Sequence, residues 1–337
     1  MTQFMPIVAV GFVAAYGFTP LTKRLALRWN IVDQPDQRKI HHEPIPLLGG
    51  VAIFGAFLLA TVLFAPATHL VEFGAVLAGG LWLAVVGYVD DRHGMNPRIK
   101  MASQVVAGIV LILAGIQVRL FEIPVLDIAL TLFWIVGITN ALNLMDNMDG
   151  LAAGITAIAA GTFFVLAASQ ELILVSSLSA ALCGATLGFL RYNFAPATTF
   201  MGDTGSLVIG FVLAVLGIKL DFPSQSTIVT WAIPILVLAI PIFDTTLVTF
   251  TRLRERRSPF QGGKDHTSHR IAAMGMGHRK TVLSLYTVAI LMGTVAFVIS
   301  LASTDLAKGL IGLVGCLGAT AFIVLEWFWI YRKAQSA

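Results

Sequence analysis

The chain has 337 residues, of which 57% are hydrophobic and only 12% charged, and its mean hydropathy is +0.85. Soluble domains carry about 25% charged residues, so the composition excludes an ordinary soluble protein and points to an all-α polytopic membrane protein. The net charge of +4 is modest, and the basic residues fall between apolar stretches, which argues against nucleic acid as a partner.

A membrane span needs about 20 apolar residues. Eleven segments are read as spans, near residues 4–22, 47–65, 71–89, 101–117, 125–143, 151–169, 171–190, 205–220, 228–250, 281–301 and 307–330. The first is expected to be a retained anchor and not a signal peptide, because Lys23, Arg24 and Arg28 follow its apolar run instead of preceding it. The fourth is short. The ninth carries Pro234 and Pro241, which predict a kink. With the N-terminus outside, all of the 22 Lys and Arg residues except Arg119, Lys219 and Lys308 fall on the inner side. The expectation is one integral-membrane domain over residues 1–337, with about eleven transmembrane helices and a cytoplasmic C-terminus. Cys183 and Cys316 lie inside apolar segments without metal-ligand spacing and read as small buried hydrophobes.

The polar motifs gather on the inner side of that map. Asp90 and Asp91 close the third span. Two carboxylates at a membrane-helix end are costly to keep unless a cation or a proton-transfer task holds them. Asn140, Asn143, Asp146 and Asp149 run from the fifth span into the sixth, and a helix break near Asn147 lets Asp146 and Asp149 face a common cleft. Plain helix capping accounts for one or two of these four residues. In Gly202-Asp203-Thr204-Gly205-Ser206 the glycines permit a tight turn whose amides can meet an anion, and Asp203 either caps the next helix or ligates a metal. Three acidic clusters without a cysteine pair or histidine-rich spacing suit Mg²⁺ or Mn²⁺, held by one or two carboxylates together with water and phosphate oxygens.

Two basic loops share that side. Arg252 to Arg257 read as an anchor at anionic headgroups. His266, His269 and Arg270 follow a glycine pair and offer donors suited to phosphate and sugar oxygens, so they read as substrate contacts. The stretch from Arg38 through Lys39 to Gly50 is a second basic, glycine-ended loop suited to a lipid phosphate.

These motifs together resemble the polyprenyl-phosphate N-acetylhexosamine-1-phosphate transferase family. The matching pieces are the proline and Gly49-Gly50 lead into the second span, Asp90-Asp91, Asn143-Leu-Met-Asp146-Asn-Met-Asp149-Gly, Phe200-Met-Gly-Asp203-Thr-Gly-Ser, and the histidine loop. They run in family order from roughly residue 33 to 270, so the resemblance covers most of the chain. Two departures, Asn147 in place of glycine and the sparse His266-Thr-Ser-His269 loop, lean away from the muramoyl-pentapeptide branch and toward the N-acetylglucosamine type.

The resemblance implies transfer of a sugar-1-phosphate from a cytoplasmic UDP-N-acetylhexosamine to undecaprenyl or another polyprenyl phosphate, with release of UMP. That step would begin lipid-linked envelope glycan synthesis in a bacterial cytoplasmic membrane, among membrane lipids, and leaves a homodimer open. By family match, Asp149 and Asp203 are expected to hold Mg²⁺. Asp90 and Asp91 are expected to be catalytic, positioning the acceptor or assisting the metal. Asn143, Asp146, Lys39, His266, His269 and Arg270 are expected to bind substrate. The competing class is a cation-coupled transporter, but transporters place their ionisable groups near the bilayer midplane on broken helices, whereas these clusters lie at span ends.

Overall fold

A computed structural model describes residues 1–34, 43–64 and 67–336. The chain forms two compact units, Met1–Asp221 and Phe222–Ala337.

The first unit contains α1 (Met5–Arg28), α2 (Gly49–Leu63), α3 (Leu70–His93), α4 (Pro97–Leu113), α5 (Pro124–Met145), α6 (Leu151–Ser169), α7 (Ile173–Asn193) and α8 (Gly202–Lys219). Two-residue strands β1 (Val32–Asp33) and β2 (Ile45–Pro46) pair antiparallel, Val32 opposite Pro46, ahead of α2. Helix α8 is the core. Every residue from Thr204 to Ile218 is buried, with α2, α3, α5, α6 and α7 packed around it. A helix apolar on all sides, as this one is after its first turn, has no stripe to give to water and belongs inside. Small residues bring α1 against α7, where a Cβ on Gly184 would stand 2.2 Å from the Val8 carbonyl oxygen. Such close backbone approach is how helices associate where lipid removes the hydrophobic drive.

The second unit contains α9 (Thr227–Val237), α10 (Ala239–Arg254), α11 (Thr267–Ile271), a π-helical turn (Ala272–Met276), α12 (His278–Leu301) and α13 (Thr304–Ser336). Helices α9 and α10 meet at a 78° bend. The predicted proline kink is therefore present. Pro241, early in α10, has no N–H to donate back across Leu238, so the hydrogen-bond ladder is interrupted there.

All eleven predicted positions are helical, but the span count changes. Among the described residues eight helices are long and apolar enough to cross a membrane, or nine if the bent pair is one span. Helix α2 has 15 residues and α4 has 17. At about 1.5 Å per residue, α2 reaches only some 22 Å against a hydrocarbon core of about 30 Å. Helix α4 also starts four residues earlier than its predicted span. Asn96 accepts the Arg98 N–H at 2.9 Å and Pro97 occupies the first turn, a strong start signal. Lys100, read from sequence as a loop residue, is consequently inside a helix.

Candidate active site

The site is built where α2, α3, α4, α5 and α8 end together in the first unit. Its frame is backbone. The amides of Gly49 and Gly50 donate to the carbonyls of Phe200 and Met201 at 3.0 and 2.9 Å, and the Phe200 amide donates to Pro46 at 2.8 Å. This contact requires glycine, since a Cβ on Gly50 would lie 2.1 Å from the Gly205 nitrogen. Gly87 of α3 is equally tight against the start of α8, 2.4 Å from the Thr204 nitrogen. Gly202 itself has φ +65°, a conformation that favours glycine, and the Asp91 carboxylate stands where its Cβ would be.

Asp91 is wholly engaged at that turn. Its carboxylate accepts from the Asp203 amide at 2.7 Å, the Thr204 amide at 3.0 Å and the Thr204 hydroxyl at 2.8 Å. It satisfies two of the free amides of the α8 N-terminus from a different helix, and the helix dipole favours its charge there. Capping, one of the two roles read for Asp203, is thus supplied by Asp91, and Asp203 is left to face the cluster.

Asp203 is the hub. Lys100 Nζ lies 2.7 Å from its Oδ2 and 2.9 Å from Asp90 Oδ2, so one ammonium bridges two carboxylates. Asn143 donates to Asp203 Oδ1 and, at 2.8 Å, to Ser206 Oγ, and it accepts from Lys100 at 3.2 Å. One turn farther along the same pair of helices, Gln104 and Asn140 exchange amide hydrogen bonds of 3.3 and 2.6 Å.

The predicted break between the fifth and sixth spans is real, running from Asp146 to Gly150, with Gly150 at φ +76°. Asn193 ties this turn to the next segment. It accepts from the Gly150 amide at 3.1 Å and donates to the Thr199 carbonyl at 3.0 Å. Asp149 accepts the Ala197 amide at 2.8 Å. Asp146 sits at the end of α5, where burial and then the charges of Asp203, Asp91 and Asp149 push its carboxyl up to about 8.

The structure therefore joins Asp90, Asp91, Asn143 and Asp203 in one hydrogen-bonded cluster, while Asp146 and Asp149 lie on the turn that follows α5. It adds Lys100, a residue that counts only toward topology in the sequence. Its signal was available as a lone lysine in the first turn of a short apolar helix. Lys39 lies outside the described residues. Among the described residues, no three of His, Cys, Asp and Glu come close enough to hold a metal by themselves. Carboxylate oxygens without an accompanying thiolate or imidazole still suit a hard ion that takes one or two protein ligands and completes its shell with water and phosphate. The donor set fits Mg²⁺ on those terms.

His266, His269 and Arg270 belong to the second unit and form their own cluster. His266 is buried, with Nδ1 2.8 Å from Asp244 Oδ2, while the Thr267 amide donates to Asp244 Oδ1 at 2.6 Å. Asp244 was missed, although a carboxylate inside a predicted span is itself a warning of a polar partner. Arg270 is 1% exposed and donates to the Asp265 and Leu325 carbonyls, Glu326 and Thr251. Its fork is spent inside the unit, where it positions the loop instead of presenting a free guanidinium. His269 is only partly buried, and burial followed by the neighbouring His266 pulls its ring down to about 4. Of the three it is the one with an accessible edge. The headgroup reading of Arg252 is corrected as well. Arg252 is fully buried and paired with Asp265 at 2.8 Å, because the loop folds back over the end of α10.

Fold and site define a multi-pass membrane protein with a lysine-bridged acidic centre at one end of a helix bundle. A family model described as glycosyl transferase family 4 matches residues 73–221, the segment from α3 to the end of α8. A probable undecaprenyl-phosphate N-acetylglucosaminyl 1-phosphate transferase of Bacillus subtilis is 36% identical over 312 residues, covering 90% of this chain and 87% of the relative. A decaprenyl-phosphate N-acetylglucosaminephosphotransferase of Mycolicibacterium smegmatis is also 36% identical, covering 86% and 80%. A phospho-N-acetylmuramoyl-pentapeptide-transferase of Bacillus thuringiensis is 31% identical over a shorter stretch, 60% of this chain and 69% of the relative. The chain belongs to this family of membrane-embedded polyprenyl-phosphate sugar-1-phosphate transferases.

Proposed function

We propose that the protein transfers N-acetylglucosamine-1-phosphate from UDP-N-acetylglucosamine to undecaprenyl phosphate or a similar polyprenyl phosphate, releasing UMP. The observation that carries this reading is the Asp90–Lys100–Asp203–Asn143 cluster, seated on a glycine-docked helix start within the segment that matches the family. Relatives named for N-acetylglucosamine transfer match nearly end to end, whereas the muramoyl-pentapeptide relative matches over a shorter stretch. The distribution of Lys and Arg supports an outside N-terminus with the site at the cytoplasmic face of a bacterial inner membrane, where UDP-sugars are made.

Asp203 and Asp149 are the residues proposed to hold Mg²⁺. When bound, the ion would neutralise diphosphate charge as the phosphoryl bond breaks. Asp91 keeps the turn that aims Asp203, and Asn143 fixes the orientation of its carboxylate. Asp90 and Lys100 carry opposite charges at the rim of the same site. The acceptor phosphate needs little general-base help, because a phosphomonoester with a second pKa of about 6 is already largely dianionic at neutral pH. Direct attack by the lipid phosphate is accordingly preferred to an aspartyl intermediate.

The test is a panel of UDP-sugars offered to detergent-solubilised protein with polyprenyl phosphate and Mg²⁺, scoring UMP and lipid product. Turnover with UDP-N-acetylglucosamine supports the reading, and it also excludes a transporter, since detergent leaves no compartments. No UMP from any N-acetylhexosamine donor overturns it. Stoichiometric UMP release without acceptor, lost in Asp90→Asn or Asp91→Asn, would replace direct attack by the covalent route.

A further inference from the structure

The ammonium of Lys100 is held as a bound ion would be. A lysine has three N–H donors and no acceptor. Here the three acceptors within reach are Asp203 Oδ2 at 2.7 Å, Asp90 Oδ2 at 2.9 Å and Asn143 Oδ1 at 3.2 Å. Its side chain is only 13% exposed, so these contacts are poorly screened by water. The oxygen nearest the ammonium belongs to Asp203, the same carboxylate proposed above as a metal ligand. Two cations cannot share one carboxylate oxygen at these separations without strong mutual repulsion.

The backbone around Lys100 gives it little room to retreat except by its own stem. The next turn of α4 is clasped to α5 by the Gln104–Asn140 amide pair, and Trp82 Nε1 of α3 donates to the Ser103 carbonyl at 2.9 Å. Release of the ammonium is therefore a rotation of four flexible methylenes and not a movement of the helix. Once released, a half-buried ammonium needs a new counter-ion, and an anionic ligand arriving at the same rim supplies one.

We infer that Lys100 is a resident cation that competes with the divalent ion for Asp203, and that this competition couples divalent-ion binding to the binding of an anionic, phosphate-bearing ligand. The inference rests on the metal assignment in the proposed function. Without anion, Lys100 opposes the ion. With anion present, Lys100 is drawn off and the ion binds more tightly. By thermodynamic reciprocity the ion tightens the anion equally. Lysine thereby keeps the acidic centre neutralised between turnovers and discourages a lone divalent ion from occupying it.

The test uses full-length protein in detergent with Mn²⁺ as the probe, free Mn²⁺ being read by electron paramagnetic resonance without nucleotide. Lys100→Met is expected to bind Mn²⁺ on the order of tenfold more tightly than wild type, and adding Asp203→Asn is expected to abolish that gain. UMP, corrected for its own Mn²⁺ pairing, should tighten Mn²⁺ on wild type and leave Lys100→Met unchanged. Equal or weaker Mn²⁺ binding by Lys100→Met, no binding by either protein, or no UMP effect on wild type overturns the inference. Should Lys100→Met fail to fold, acylation of Lys100 in wild type, followed by peptide mass, replaces it. Mn²⁺ should raise the labelling, and unchanged or lower labelling overturns the inference. These readouts are independent of turnover. Normal UMP release with unchanged Mn²⁺ affinity sinks the coupling alone, whereas no UMP release from any donor sinks the transferase reading.

Discussion

Asp91 and Thr204 are joined twice, the carboxylate accepting from the Thr204 amide at 3.0 Å and from its hydroxyl at 2.8 Å. With the Asp203 amide, this makes Asp91 the cap of α8 although it sits on α3. Loss of a helix cap costs about 1–2 kcal/mol, and the amides stranded here are poorly hydrated. Asp91→Ala is therefore expected to lower thermal stability in detergent by an amount of that order and to abolish turnover, because the turn that aims Asp203 is loosened. Asp91→Asn keeps one acceptor oxygen and should melt between the two. A melting temperature for Asp91→Ala equal to wild type would show that the cap is dispensable.

The glycine contacts make a sharper steric prediction. Gly50→Ala places a methyl carbon 2.1 Å from the Gly205 nitrogen, and Gly87→Ala places one 2.4 Å from the Thr204 nitrogen. Both clashes are with backbone, which cannot swing aside as a side chain can. Overpacking of this kind costs about 1–3 kcal/mol or more. Each variant should lose most of its activity and melt earlier, while Gly74→Ala on α3, which meets nothing within 4 Å, should match wild type. Melting curves and UMP release on the three variants decide it.

The pattern of these contacts explains what was legible in the sequence. Helix positions follow from apolar length alone, and the Asp146–Gly150 break follows from a run of polar residues that no continuous helix could hide. The acidic motifs were visible because carboxylates at span ends are expensive. Lys100 was not, because a lysine at a helix start has an ordinary explanation as a topogenic charge, and only the packing of α4 against α3 and α5 turns it inward. Arg252 was misjudged for the same reason, and the burial of Arg270 was equally hidden. Neither sequence spacing nor composition shows that Asp265 and Glu326 fold over them. The 15-residue length of α2 was hidden too, since its start is set by docking onto the Phe200–Gly205 turn and not by hydropathy.

Asp146 supplies a pH prediction. Its carboxyl is raised to about 8 from an ordinary value of 3.8, by burial and by the surrounding carboxylates. Between those values the folded protein binds more protons than the unfolded chain, so stability falls as pH rises from about 4 toward 8. The contribution is full below the unfolded value and gone above the folded one. Asp146→Asn, which stays neutral, should remove this slope and melt higher than wild type at pH 8, with the difference shrinking steadily as pH falls toward 4. Parallel melting temperatures for the two proteins across that range would sink the assignment.

Arg252 and Asp265 make the strongest single-residue prediction in the second unit. Arg252 is fully buried, and it donates to both oxygens of Asp265 and to the Pro259 carbonyl. Burial alone would raise the Asp265 carboxyl, but the Arg252 and Arg257 guanidinium groups outweigh it and hold it below the usual range. Removing one partner of such a pair strands a buried charge, at a cost of about 3–5 kcal/mol. Asp265→Asn should therefore open the loop from Arg254 to His266 to proteolysis and lower the melting temperature markedly. Because the folded value is depressed, the stabilisation is present above about pH 4 and is lost as pH falls through the folded value. Wild type should approach the variant only in strong acid. The double change Arg252→Met with Asp265→Leu removes both charges and should recover part of the loss. A double variant less stable than Asp265→Asn would mean that the arginine holds the loop chiefly through its bond to Pro259.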